Sequence, residues 1–243
     1  MNANIYEEAK NRLIFALDMP EEEKAKYWLN LLKDKVGVFK VGLELFLGVG
    51  PQIVRLIKDT TGAGVFLDLK FHDIPATVLA ACRQAQKYGV DFVTVHAIYR
   101  HGLFQEFRSS PTKIIGVTVL TSLDTPDLRA MGITEELAQA PYKLVLKRAA
   151  LAKEAGCAGV VCSGQEVKYI KEHFGQEFLV ITPGIRLKSD SVQDQKRVTT
   201  PYEAIKNGSN YIVVGRSIRS TPNPSRAAEQ IVKEIASALV DTV

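Results

Sequence analysis

The sequence predicts an α/β protein folded as a single-domain (β/α)8 TIM barrel, and three observations carry that prediction. Eight short apolar, β-branched runs recur along the 243 residues, the segments between them are long enough for crossover helices, and no Pro/Gly/Ser-rich linker or abrupt charge shift divides the chain. Parallel strands cannot be joined by a tight turn, so this alternation implies βα units. Eight such units in one chain of about 250 residues suit a closed barrel. The same alternation also fits an open doubly wound sheet.

The elements follow in order. Residues 13–17, LIFAL, form the first strand run, and residues 21–33 mix apolar and charged side chains at helical spacing. The pattern repeats as strand 36–41 with helix 51–60, strand 65–69 with helix 77–88, and strand 92–95. The fifth run, 114–120, leads into a long connection without strand character at 122–140 and then a helical segment at 142–155. Strand 159–162, helix 165–173 and strand 178–181 come next, before a second long polar connection at 187–200, LKSDSVQDQKRVTT. Strand 211–214 and helix 225–240 complete the series. Connections as long as 122–140 and 187–200 are usually functional lids or disordered segments.

Composition removes several classes. With 46% hydrophobic and 24% charged residues, 17 Gly and 10 Pro, the chain is neither collagen-like nor disordered. Its length allows roughly 70–75% of the unfolded surface to be buried, so neither disulfides nor a metal is needed to hold a core. The net charge is +4, and no Lys/Arg run reaches the length of a nucleic-acid-binding tail, so no nucleic-acid partner is expected. Cys82, Cys157 and Cys162 are odd in number and lack CxxC spacing, which fits reduced thiols in cytoplasm. The opening MNANIYEEAKNR has no apolar signal core, and no run approaches the ~18 residues of a membrane span, so a cytoplasmic protein is expected.

Charged residues on strands buried on both faces require a reason. Alternation places Asp68 and Lys70 on one face of the third strand, at the C-terminal end where barrel active sites are built. Asp18 ends the first strand, Lys40 lies on the second and His96 ends the fourth. Each alone could be a strand-end charge reaching solvent. Together, opposite charges at one end of successive strands imply a shared polar site. After the last strand, VVGRSI offers Gly215 for close backbone approach and Arg216 as a fork of donors leading into a helix, while ITPGIR places Gly184 and Arg186 after the seventh. Barrels frequently bind phosphate after strands seven and eight, so location and chemistry agree.

These residues resemble the orotidine 5′-monophosphate decarboxylase family. The likeness runs through ALD at 16–18, FKVG at 39–42, DLKFHDIPAT at 68–77, TVHA at 94–97, TVLTS at 118–122, TPGIR at 182–186, DQKR at 194–197 and VGRSI at 214–218. The resemblance implies decarboxylation of orotidine 5′-monophosphate to uridine 5′-monophosphate, the last step of de novo UMP biosynthesis, with no metal or organic cofactor. Asp18 and Lys40 resemble the ribose-hydroxyl ligands, with Lys40 also joining the charged catalytic array, while Asp68, Lys70 and Asp73 resemble the catalytic Asp-Lys-Asp set, and Lys70 the proton donor. Thr121 is similar to the residue that contacts the pyrimidine ring, and Arg186, Gln195, Gly215 and Arg216 to the ligands of the phosphate end. Because Asp73 and Thr77 in relatives reach the neighbouring subunit's site, a homodimer with shared sites is implied. Gln195 lies in the 187–200 segment, which therefore reads as a lid closing over the phosphate.

Two other readings compete. A metal-dependent sugar-phosphate epimerase or lyase would use Asp68, His96 and perhaps His72, but leaves the Lys70 ammonium repelling a cation. An inactive phosphate-ligand binder has no use for crowded carboxylates that carry a desolvation cost. His72, His101 and His173 carry no separable functional signal, and His96 is read as supporting rather than catalytic.

Overall fold

The computed structural model describes residues 2–187 and 199–241. All eight expected runs form strands: β1 Leu13–Leu17, β2 Val38–Gly42, β3 Gly64–Phe71, β4 Phe92–His96, β5 Lys113–Val117, β6 Gly159–Val161, β7 Leu179–Thr182 and β8 Tyr211–Val214. They pair in parallel in chain order, and β1 meets β8 through Leu13 with Ile212, Ile14 with Val213 and Phe15 with Val214. That closure makes the sheet a barrel and removes the open-sheet alternative.

The helices among the described residues are α1 Ala3–Asn11, α2 Glu22–Leu32, α3 Leu43–Val49, α4 Gln52–Thr61, α5 Pro75–Lys87, α6 Thr125–Ala130, α7 Glu135–Gln139, α8 Pro141–Ala155, α9 Val167–Phe174, α10 Pro201–Lys206, α11 Arg216–Arg219 and α12 Pro224–Val240. Proline is the first residue of α5, α8, α10 and α12, where its missing N–H is no loss and its fixed φ suits the helix.

Side-chain alternation sorts each strand into two faces. Leu13, Phe15, Leu17, Phe39, Val41, Val65, Leu67, Val93 and Val95 face outward and pack in the core shared with the helices. Ile14, Ala16, Val38, Phe66, Phe92, Ile115, Ile181 and Val213 fill the barrel interior. Two residues beyond Ala16, Val38 and Phe66, on the same inward face, stand Asp18, Lys40 and Asp68. Apolar layers therefore form the floor, and the next layer toward the C-terminal rim is charged.

The structure departs from the sequence reading at several elements. The 122–140 connection holds α6 and α7, both too short to show a helical period; Asp124 and Asp127 form a reciprocal capping box that starts α6. The helices α1, α3, α10 and α11 were likewise unexpected from periodicity, each being under ten residues. Strand β5 stops at Val117 rather than 120: Thr118 N–H still donates to Val161 O at 3.2 Å, but the Thr118 carbonyl is taken by Arg148 Nη1. Most of the 187–200 segment lies outside the described residues. Its flanks meet where Arg186 N donates to Thr199 O at 3.0 Å and Thr199 N donates to Gly184 O at 3.3 Å.

At the opposite, N-terminal end of the barrel a buried lysine clips two loops together. Lys171 Nζ donates to Gln176 O, Phe178 O and Asn210 Oδ1 at 2.9, 2.9 and 2.8 Å. Burial, followed by the charge of Arg12, pulls its pKa down to about 8. Lys171→Met is expected to cost roughly 2–3 kcal/mol by stranding acceptors, seen as a thermal midpoint lower by about 5–10 °C, with kcat unchanged.

Candidate active site

Strand β3 does not run regularly to its end. It pairs with β4 as Leu67 with Val93 and then Phe71 with Val95, so Asp68, Leu69 and Lys70 lie opposite Thr94 alone. The extra residues form a bulge, and Lys70 takes φ of 50°, a left-handed conformation that costs a non-glycine residue about 1–2 kcal/mol. The bulge aims Lys70 into the barrel mouth beside Asp68. Strain of this kind persists only where surrounding structure imposes it, and it concentrates at functional sites.

Four charges then alternate across three strands. Lys40 Nζ donates to Asp18 Oδ1 at 2.9 Å and stands 3.8 Å from Asp68 Oδ2, which accepts from Lys70 Nζ at 2.9 Å. The Lys40 and Asp68 side chains are only 12% exposed, so their mutual attraction is weakly screened, whereas Asp18 is 46% exposed and contributes less. Gly42 leaves room for this array: a Cβ there would sit 3.3 Å from Lys40 Nζ and 3.7 Å from Asp18 Oδ1.

The array forms one wall of a cavity of about 440 Å³ at the C-terminal rim. Ala16, Phe66, Val117, Val161 and Val213 supply an apolar floor, and Thr121 lines the side. Beyond the Asp18 end of the array stand Arg186, Gly215 and Arg216, joined by Arg219; a Cβ on Gly215 would lie 3.6 Å from Asp18 Oδ2. Gly184, at φ of 79°, makes the turn that brings Arg186 round to the mouth. The lining side chains thus carry a net of three positive charges, concentrated on the arginine side.

The structure therefore gathers Asp18, Lys40, Asp68, Lys70, Thr121, Arg186, Gly215 and Arg216 around one cavity. It does not bring Asp73 and Thr77 into that lining; both are exposed on the rim at the start of α5. The Asp73 backbone is nonetheless fixed, since Tyr99 OH accepts from its N–H at 3.1 Å and donates to its carbonyl at 2.8 Å. Gln195 lies outside the described residues. Among those residues no three His, Cys, Asp or Glu side chains come together as a metal-ligating group.

Comparison with known proteins matches this arrangement to one family. The Orotidine 5'-phosphate decarboxylase / HUMPS family matches residues 11–231, every strand included. The chain belongs to this family. An orotidine 5'-phosphate decarboxylase from Desulfosudis oleivorans is 46% identical over 236 residues, covering 95% of each chain. One from Geotalea daltonii is 42% identical over 240 residues, covering 95% of this chain and 98% of the relative. The crystal structure of orotidine 5'-phosphate decarboxylase from Lactobacillus acidophilus superimposes with a TM-score of 0.78 at 35% identity, covering 92% of this chain and 98% of that one.

One residue of the cavity in this orotidine 5'-phosphate decarboxylase family member escaped sequence reasoning. Arg219 lines the cavity and its guanidinium donates to the carbonyl of Asp18, tying the end of β1 to α11. Its only sequence signal is the spacing of three from Arg216, one helical turn. His96, in contrast, stays outside the lining, with its ring 4.8 Å from that of His72. Burial first, and then the charges of His72, Arg148 and Lys70, lower its pKa, which favours the neutral imidazole. That suits a supporting role. Cys82, Cys157 and Cys162 are buried and form no disulfide, and burial raises Cys82 to about 12, which makes it a poor nucleophile. No helix among the described residues is long and apolar enough to cross a membrane.

Proposed function

We propose that this chain decarboxylates orotidine 5′-monophosphate to uridine 5′-monophosphate and CO2, closing de novo UMP synthesis in the cytoplasm without a cofactor. The observation that carries the reading is the alternating Asp18-Lys40-Asp68-Lys70 array sharing one cavity with three arginines. A nucleotide fits that polarity. Its phosphate takes the Arg186, Gly215 and Arg216 side, its ribose hydroxyls meet Asp18 and Lys40, and its pyrimidine lies against Thr121 with C6 toward Lys70.

The chemistry follows from the charges. Breaking the C6–carboxylate bond releases CO2 and leaves the electron pair on C6, where no adjacent carbonyl delocalises it. The Lys70 ammonium faces that pair in a partly desolvated site, where Coulomb terms exceed those in water, and then transfers a proton from Nζ to C6. Asp68 fixes Lys70 and places a negative charge near the departing carboxylate. Phosphate contacts remote from C6 contribute binding energy that holds the pyrimidine against the array.

The same reading includes a homodimer. Asp73 and Thr77 would complete the partner's site, and exposed Leu43, Leu47, Ile74 and Ile98 follow β2, β3 and β4 around the same part of the rim, as a subunit interface requires. The deciding experiment is turnover of orotidine 5′-monophosphate by the purified chain, with and without chelator. Chelator-resistant release of CO2 is expected; activity abolished by chelator would favour metal-assisted chemistry instead. Arg216→Ala is expected to weaken nucleotide binding about 10- to 100-fold and binding of the dephosphorylated nucleoside less than about twofold, measured by calorimetric titration. Equal losses would remove Arg216 from the phosphate site.

A further inference from the structure

We infer that Thr94 is a positioning residue of the charged array: its hydroxyl holds both the β3 bulge that presents Lys70 and the Asp68 carboxylate that orients the Lys70 ammonium. The inference rests on the decarboxylase reading above and adds to it a residue that touches neither the reacting carbon nor the phosphate.

The geometry is specific. Thr94 lies on β4 two residues beyond the inward-facing Phe92 and is wholly buried. Its Oγ1 accepts from Lys70 N at 2.8 Å and lies 3.0 Å from Asp68 Oδ1. A backbone N–H can only donate, so the hydroxyl proton is left to point at the carboxylate. Both functions of one hydroxyl are thereby used. The first replaces the ladder partner that the bulge denies to the Lys70 N–H, which would otherwise be an unpaired donor at a left-handed residue. The second occupies Asp68 Oδ1 while Oδ2 holds the two lysines.

A carboxylate has a broad, roughly two-fold torsion, so anchoring one oxygen sets the direction of the other. Without the Thr94 proton, Asp68 would be fixed only by the lysines it is meant to place. Threonine also suits the task better than serine, because β-branching restricts χ1 and keeps the hydroxyl aimed at the bulge. The arginine side of the cavity is on other strands, so the consequence should appear in the chemical step rather than in nucleotide affinity.

The test compares the unmodified chain with Thr94→Val, which keeps the shape and removes the hydroxyl, and Thr94→Ser, which keeps the hydroxyl. For Thr94→Val, kcat for orotidine 5′-monophosphate should fall about 10- to 100-fold, with KM and the Kd for uridine 5′-monophosphate within about threefold. Thr94→Ser should recover kcat to within about fivefold of the unmodified chain. Should Thr94→Val fail to fold, Thr94→Ala against Thr94→Ser reads the same contrast. A Val or Ala variant with kcat within threefold of the unmodified chain overturns the inference, as does a Ser variant no better than Val or Ala at equal thermal midpoint. Absence of turnover by the unmodified chain is a separate result that overturns the substrate reading itself.

Discussion

Lys70→Ala is expected to lose decarboxylation by about four orders of magnitude or more while the protein stays folded. The size follows from the two tasks assigned to one group: a positioned general acid contributes about 10²–10⁴-fold, and a preorganised charge at the developing carbanion about as much again as an oxyanion-hole donor. Folding should survive because Lys70 is one-third exposed and Asp68 keeps Thr94 at 3.0 Å and Lys40 at 3.8 Å as partners. The bulge is kept by the Lys70 main-chain N–H on Thr94, which alanine retains. Single-turnover product formation and the thermal midpoint check the two halves separately. A variant with near-normal kcat would remove Lys70 from the proton-transfer role, and one with a collapsed midpoint would show the array to be structural.

Equal mixing of Lys70→Ala and Asp73→Ala subunits, each inactive alone, is expected to restore roughly a quarter of the unmodified activity after random subunit exchange. Half the dimers would then be mixed, and each mixed dimer would hold one site with Lys70 from one subunit and Asp73 from the other. The second site of that dimer carries both lesions and stays silent. The expectation draws on Asp73 being exposed and outside the lining of its own subunit's cavity, with its backbone fixed by Tyr99. A verified heterodimer without activity would place Asp73 in its own subunit's site. Activity recovered without mixing, in Asp73→Ala alone, would show that Asp73 is dispensable.

Much of the site was legible because strand parity transmits directly from sequence to space. Once LIFALD and FKVG are read as strands, the inward position of Ala16 forces Asp18 inward as well, and Val38 does the same for Lys40. Phe66 and Asp68 obey the same rule. The arginine side was legible for a different reason, since glycine–arginine pairs directly after β7 and β8 lie at the rim whatever the loops do. Lys70 was placed correctly by a rule that the structure does not follow: simple alternation puts it on the face of Asp68, but β3 is bulged there and Lys70 reaches the mouth at φ of 50°.

Local facts of short range could be read from the chain alone: eight apolar runs, the parity that turns Asp18, Lys40 and Asp68 inward, and the motifs that assign the family. Relations between strands far apart in the chain emerged only on folding. Closure of β1 on β8, the pairing of three β3 residues against Thr94, the reach of Arg219 back to Asp18, and the exclusion of Asp73 and His96 from the cavity all belong here. The physical reason is that alternation and helical period are properties of one backbone segment. Register, bulges and hydroxyl-to-carboxylate hydrogen bonds depend on how two distant segments meet, and nothing in either segment alone specifies that.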